Sequence, residues 1–160
     1  MNFKNIKLVT FTLFALSVLV FASPSAALAV SDCQKVRGIE NGALNPDGSG
    51  ASGTITQGGK LNGSTQVVLA TGFAPTGDPF TFSFTDNLTL TTKDGILRTH
   101  NVSLFDTANG LSTAVARVDP NASEGFFAGT TGVLYLNAKL VDPASGSFVA
   151  EITGELCYAD

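Results

Sequence analysis

The sequence predicts an all-β fold: a single antiparallel up-and-down β-barrel of about eight strands, with a β-sandwich as the alternative. The 160 residues include 17 Gly and 12 Phe but only 14% charged residues, a composition unlike that of a coiled coil, a helical bundle or a disordered chain. Apolar and polar residues alternate along several long segments. Glycine-containing turn sequences separate these segments, as they do in β-hairpins.

The first 29 residues predict an export signal. Lys4 and Lys7 precede an apolar stretch at residues 8–22 that is short for a membrane span. Small residues at Ala27 and Ala29 match the positions that a signal peptidase recognises, so we expect cleavage after Ala29. A retained membrane anchor is the alternative.

Residues 30–160 are then expected to form the single β-barrel domain. They contain seven Lys and Arg against thirteen Asp and Glu, which gives a formal net charge of −6. Such an acidic domain lacks the basic patch that nucleic-acid binding requires. The sequence therefore predicts a secreted or periplasmic protein that binds neither nucleic acid nor, once the signal is removed, a membrane.

The two cysteines, Cys33 and Cys157, lie at opposite ends of this domain. In an oxidising compartment such a pair predicts a disulfide that joins the first and last strands. A redox pair or a metal pair is the alternative, but the chain has no CxxC spacing and only one His. We therefore predict a structural disulfide, with no metal and no cofactor.

The strands can be assigned in chain order. The first three are predicted at residues 36–43, 53–57 and 61–73, with glycines between them that form turns or bulges. Residues 80–91 alternate clearly, and their apolar set is Phe80, Phe82, Phe84, Leu88 and Leu90. A three-residue hairpin loop at residues 93–95, with Gly95 at the left-handed position, leads into a strand at residues 96–105.

The remaining strands are predicted at residues 111–118, 133–141 and 148–157. Asn109-Gly110 precedes the first of them, and turn residues at 142–146 join the other two into a hairpin. The expected inner face of that hairpin comprises Leu134, Leu136, Ala138, Leu140, Phe148, Ile152 and Leu156. A disulfide between the ends of eight antiparallel strands favours closure into a barrel over a sandwich.

The candidate ligand pocket depends on the register of the central hairpin. A three-residue loop pairs Thr92 with Ile96, which places Arg98 and His100 on the inner face, with Asp86 diagonal to His100. Asp86, Arg98 and His100 would then satisfy one another at the polar end of an internal cavity. The alternative is a two-residue turn at Asp94-Gly95, which shifts the register by one and points Arg98 and His100 into water.

No other pattern predicts catalytic, cofactor-binding or metal-binding residues. The chain has no GxSxG nucleophile elbow and no phosphate-binding glycine loop followed by a helix. Asp119, Asn121 and Glu124 could contact calcium, but their spacing lacks the glycine and the further ligands of an EF-hand. A loop with side-chain-capped turns is the favoured interpretation of that segment.

One segment resembles a known group of proteins. The residues GFFAGTTGVL at 125–134 are similar to the G-x-F-x-G-A-T-G-x-L stretch of small secreted bacterial proteins related to the allene oxide cyclase and dirigent barrels, with Thr130 in place of Ala. The residues ITGELC at 152–157 are similar to the terminal strand of that group. The resemblance implies a cavity-bearing antiparallel barrel, and it transfers no activity and no catalytic residue.

Three functional hypotheses follow. The protein is an exported barrel that binds a small apolar ligand or acts as an interaction module; or it is a cofactor-free cyclase or isomerase that uses Asp86, Arg98 and His100; or it is a structural surface protein whose core is filled by its eight Phe beyond residue 29. An internal cavity would favour the first two. The sequence leaves open whether the protein is an enzyme, and it leaves the ligand and the oligomeric state undetermined.

Overall fold

The structure is a computed structural model that describes residues 32–159. The predicted signal peptide and its cleavage site lie outside the described residues. Residues 32–159 form ten β-strands and one short 3-10 helix, Gly59–Leu61. The strands are β1 Asp32–Leu44, β2 Gly50–Thr56, β3 Gly63–Leu69, β4 Ala74–Pro75, β5 Thr81–Thr92, β6 Gly95–Asp106, β7 Leu111–Val118, β8 Glu124–Gly125, β9 Thr131–Asp142 and β10 Ser147–Tyr158.

The eight long strands form a closed antiparallel barrel. Each long strand pairs with the next one along the chain, and β1 closes the ring by pairing with β10. The short strands β4 and β8 lie beside β5 and β6 respectively. Closure gives every long strand two neighbours, so no long strand is left with unpaired backbone groups along an edge. The predicted up-and-down barrel is confirmed.

The eight predicted strands coincide with the eight long strands, although their ends differ. The third strand ends at Leu69 and not at residue 73, because the chain leaves the barrel there and returns at Thr81. The strands β4 and β8 and the 3-10 helix were not predicted, since elements of two or three residues have no detectable periodicity. Along residues 32–159 no helix is long and apolar enough to cross a membrane.

The disulfide predicted from the positions of the cysteines is confirmed. Cys33 and Cys157 are directly opposite each other in the β1–β10 pairing and are joined by a bond between their sulfur atoms. That pairing is long, since it runs from Asp32 opposite Tyr158 to Ala43 opposite Ser147. The bridge therefore fastens the strand pair that closes the barrel, at the end where the chain enters and leaves it.

One half of the barrel interior is filled. This closed half is covered by the 3-10 helix and by residues 119–130, which insert the fully buried side chains of Leu61 and Phe127. They pack on inner residues of the strands: Ile55, Leu90, Leu97, Ala116, Val118, Leu134, Ile152, Leu156 and Tyr158. At the surface of this cluster the Lys60 ammonium nitrogen lies 3.8 Å from the centre of the Phe126 ring, close enough for a cation–π interaction.

The glycine-rich segment at residues 125–134 leads the chain from the cover of the closed half into β9. Phe127 is fully buried, and the chain turns through Gly129 at a φ of 73° before it enters β9. At Gly132 a Cβ atom would lie 2.2 Å from the carbonyl oxygen of Glu155 on β10, so only glycine allows this close approach of the two strands.

The predicted register of the β5–β6 hairpin is wrong by one residue. Thr91 pairs with Ile96, so the loop consists of residues 93 and 94 alone. The hydroxyl oxygen of Thr92 accepts hydrogen bonds from the backbone N–H groups of Asp94, at 3.1 Å, and Gly95, at 3.2 Å, and so closes the shorter loop. Gly95 does not have the left-handed conformation on which the prediction depended.

The role of Gly95 explains the error. A Cβ atom at this position would lie 2.3 Å from the carbonyl oxygen of Glu124, because β8 passes directly beside the start of β6. The glycine is therefore required by a tertiary contact and not by the turn. The one-residue shift reverses the two faces of β6 relative to the prediction.

Replacing both cysteines should lower stability without abolishing the barrel. The bridge spans 124 residues, and on the chain-entropy model its loss costs up to about 5 kcal/mol of unfolding free energy. We expect the double variant Cys33→Ser/Cys157→Ser to show a clearly lower thermal midpoint by circular dichroism. Reductant should lower the midpoint of the wild type and leave that of the double variant unchanged; equal midpoints for both oxidised proteins would contradict the prediction.

Candidate functional site

The other half of the barrel, the open half, contains a cavity of about 380 Å³. All eight long strands contribute inner-face residues to its lining, and it reaches the barrel end where the turns at residues 45–49 and 107–110 lie. Its volume falls within the range of about 300–1,000 Å³ that small-molecule sites occupy. The cavity is therefore the candidate functional site.

The cavity exists because the inner positions of the open half carry small side chains. Four alanines line it at positions where the closed half carries mainly leucine and isoleucine: Ala51, Ala114, Ala138 and Ala150. The rest of the wall is largely apolar and is formed by Leu44, Val67, Leu69, Phe73, Phe84, Phe105, Leu136, Leu140 and Phe148. Phe73 comes from the segment between β3 and β4 and packs on Phe84 with ring centres 4.8 Å apart.

The buried carboxyl group of Asp86 lines this cavity, and so do the two side chains that donate hydrogen bonds to it. The Asn101 side-chain nitrogen donates to Oδ1 of Asp86 at 2.5 Å, and the Ser103 hydroxyl donates to Oδ2 at 2.6 Å. The Thr99 hydroxyl in turn donates to the Asn101 oxygen at 2.6 Å. All four side chains are buried, and their bonds satisfy polar groups that would otherwise be costly to bury.

A second carboxyl group, Glu40 of β1, also lines the cavity and is only 2% exposed. Its Oε1 accepts a hydrogen bond from the Thr65 hydroxyl of β3. The carboxyl reaches Thr65 across β2 because Gly53 has no side chain: a Cβ atom there would lie 2.7 Å from Oε1. Burial raises the pKa of Glu40, and the hydrogen bond from Thr65 lowers it by a smaller amount. The carboxyl group therefore keeps its proton at pH values above its usual pKa of 4.5.

The two cavity carboxyls lack a cationic partner. Among residues 32–159 no Lys, Arg or His belongs to the cavity lining. In the same part of the chain the ion pairs are Arg37–Glu151, Lys93–Asp94 and Arg98–Glu124, and none of them includes Glu40 or Asp86. The site combines apolar walls with two uncompensated buried acids.

The structure separates the three residues predicted to form one pocket. Asp86 lies on the inner face and lines the cavity, but Arg98 and His100 lie on the outer face, as the shifted register requires. Arg98 donates from Nε to the carbonyl of Ala122 at 3.0 Å and pairs with Glu124 at 3.4 Å. The predicted Asp86, Arg98 and His100 cluster is therefore wrong. Arg98 and His100 point outward as the two-residue alternative expected, although the two loop residues are 93 and 94 and not Asp94-Gly95.

His100 has its own partners outside the barrel. Its Nδ1 lies 2.6 Å from the Asn87 side-chain oxygen, and its Nε2 lies 3.1 Å from Oδ2 of Asp119. Asp119 also accepts hydrogen bonds from the backbone N–H groups of Asn121 and Ala122, which lower its pKa. This is the side-chain-capped turn that was favoured over a calcium loop.

Sequence reasoning missed Glu40, Asn101 and Ser103. On β6 the misleading signal is hydrophobicity: Val102 and Leu104 are 63% and 42% exposed on the outer face, whereas the inner face carries Thr99, Asn101 and Ser103. On β1 the inner parity includes Gly38 and Gly42 beside Glu40, so the strand has no clear apolar face. The alternation of Asp86 with the apolar residues of β5 was the one signal that led to the cavity.

Comparisons with protein-family models, with curated proteins and with solved structures find no match to this chain. The similarity of residues 125–134 to the allene oxide cyclase and dirigent group therefore stays a prediction from a motif. The site has to be interpreted from its own geometry.

A double-mutant cycle can test the Asp86 network. Asp86→Ala leaves the buried donors of Asn101 and Ser103 without an acceptor. The effects of Asp86→Ala and Ser103→Ala on the unfolding free energy should therefore be non-additive, with a coupling energy of about 0.5–3 kcal/mol. The matched control is the pair Asp86→Ala and Arg98→Ala, which should be additive because the two side chains lie on opposite faces. Urea denaturation of the single and double variants measures both cycles; coupling to Arg98 instead of Ser103 would refute the observed register.

The raised pKa of Glu40 predicts a defined pH dependence. In the native protein Glu40 keeps its proton at pH values above 4.5, its usual pKa. The stability that this protonated acid contributes is fully present below pH 4.5 and is lost as the pH rises through the folded-state pKa. Glu40→Gln cannot titrate. Its unfolding free energy should therefore rise relative to that of the wild type as the pH increases from 4.5.

Urea denaturation across this pH range measures the difference. Glu155→Gln, the same change at an exposed acid on β10, is the matched control for the substitution. A difference between Glu40→Gln and wild type that stays constant with pH would contradict the burial of an ionisable Glu40.

Proposed function

We propose that this protein is an exported barrel that binds a small, mainly apolar molecule in the cavity of its open half. The observation that carries the proposal is the 380 Å³ cavity itself, with apolar walls and a few buried polar groups. Sites for small molecules combine these features, since the walls supply affinity and the polar groups set orientation.

The contrast between the two barrel halves supports binding over a purely structural role. Protein interiors are close-packed and contain few voids larger than a water molecule. The closed half follows that rule with fully buried side chains such as Leu61, Phe127 and Leu156. An eight-stranded barrel can therefore be filled by this chain, and the alanines of the open half leave space that a ligand would occupy.

The catalytic hypothesis depended on a cluster that does not form. A cyclase or isomerase built on Asp86, Arg98 and His100 needs all three groups in one cavity, and only Asp86 lines it. Binding needs apolar walls and a complementary polar group, both of which are present. We therefore place ligand binding ahead of catalysis.

Export is supported by two independent features. The Cys33–Cys157 disulfide is typical of proteins that mature in an oxidising compartment. The sequence of residues 1–29 predicts a signal peptide that would lead the chain there. A carrier or scavenger of an apolar compound outside the cytoplasm is consistent with both.

Filling the cavity should weaken the binding of an apolar probe. Ala114 and Val115 are neighbours on β7, and only Ala114 lines the cavity, whereas the side chain of Val115 is exposed. We expect the neutral fluorescent compound naphthylmethanol to bind the wild type and Val115→Phe, and to bind Ala114→Phe about tenfold or more weakly, a loss of at least about 1.4 kcal/mol. Fluorescence anisotropy of the naphthyl group measures the dissociation constants.

The protein is well suited to this assay because it contains no tryptophan, so the probe can be excited selectively. Circular dichroism melts of both phenylalanine variants control for folding. Equal probe affinity in the two variants would place the binding site outside the cavity and reject the proposed function.

A further inference from the structure

The charge of the cavity indicates the chemical class of its ligand. We propose that the bound molecule has an apolar body and a protonated amine at its polar end, and that the buried acids of the cavity lining, Glu40 and Asp86, select for that amine. This inference rests on the proposed function, because it assigns a ligand class to the same cavity.

The first observation concerns the unused oxygen of Glu40. Thr65 donates to Oε1, and along residues 32–159 no hydrogen-bond donor reaches Oε2. The side chain is 2% exposed and lines the cavity, so the unpartnered oxygen faces the space that a ligand would fill. Burial of an acid without a cation is costly, which the raised pKa of Glu40 reflects. A cationic ligand would remove that cost.

The second observation concerns Asp86, which accepts one hydrogen bond on each oxygen, from Asn101 and Ser103. A carboxylate has about four acceptor positions, so further positions remain for a ligand. Both donors belong to β6 and so hold the carboxylate in one orientation. Asp86 is therefore a fixed acceptor at the edge of an apolar space, which is the arrangement that an ammonium group requires.

The third observation is the sign of the charge. In the described part of the chain no Lys, Arg or His lines the cavity, and the two ionisable groups that do are both acids. Beyond the predicted signal peptide the chain has a formal net charge of −6, which attracts cations and repels anions before they reach the site. A carboxylate-bearing ligand such as a fatty acid would face two buried acids with no compensating charge.

The shape and lining of the cavity indicate the apolar part of the ligand. Four phenylalanines line it: Phe73, Phe84, Phe105 and Phe148. Their rings can pack against a flat aromatic or an aliphatic body, and aromatic faces also tolerate an adjacent cation. A single apolar ring system that bears an aminomethyl group would pack against the walls and present its ammonium group to the acids of the lining.

Three probes that share one skeleton test the assignment: naphthylmethylamine, naphthylmethanol and naphthoate. At neutral pH they present an ammonium, a hydroxyl and a carboxylate on the same apolar body. We expect the amine to bind the wild type about tenfold or more tightly than the alcohol, because an ammonium group favours the ionised form of the buried acids and is attracted to it. Naphthoate should bind more weakly than the alcohol.

Removing the acids should remove the preference for the amine. In the double variant Glu40→Gln/Asp86→Asn we expect the amine and the alcohol to bind with affinities within about twofold of each other. Glu155→Gln on the outer face of β10 is the matched control and should retain the preference for the amine. Circular dichroism melts of both variants control for folding.

The outcomes separate this inference from the proposed function. If the alcohol binds the wild type at least as tightly as the amine does, the inference is overturned and the proposed function stands. If none of the three probes binds, the proposed function fails with it. A preference for the amine that survives in the double variant would overturn the assignment to Glu40 and Asp86.

Discussion

The pairing of the first strand with the last is the interaction on which the rest of the structure depends. When β1 pairs with β10, eight strands that would form an open sheet become a ring with an inside. Only then do the inner residues of all eight strands face one another across a shared space. The Cys33–Cys157 bridge fastens this pairing at the end of the barrel where the closed half lies, and so stabilises the ring.

The barrel interior is divided by side-chain size. In the closed half, residues such as Leu61 and Phe127 come from the covering segments and fill the space between the strands. In the open half alanines occupy inner positions, and no covering segment within residues 32–159 inserts a side chain as deeply buried as these two. A stable core at one end thus allows a cavity at the other, because the closed half can hold the ring together without it.

The buried polar groups differ in how completely they are satisfied. Asp86 is held by Asn101 and Ser103, a network that contributes to stability as much as to any site. Glu40 has one donor and a raised pKa, which marks it as a group whose environment is incomplete in the described residues. A binding site differs from a packed core in this respect: it contains a polar group whose burial is unfavourable and which faces a cavity.

The sequence by itself determined the all-β class, the positions of the eight long strands and the disulfide, because alternation, turn residues and cysteine placement are local signals. Only the tertiary structure decided which face of β6 is inside. In the sequence Gly95 is indistinguishable from a glycine that a turn requires, but the structure shows that its close contact with β8 requires it. Val102 and Leu104 are apolar and so were expected in the core, but they are exposed. Because side chains alternate between the two faces of a strand, a register error of one residue was enough to place Arg98 and His100 inside the predicted cavity when they lie outside it. The position of Glu40 in the cavity depends on its contact with Thr65, which belongs to a strand that does not follow β1 directly in the sequence.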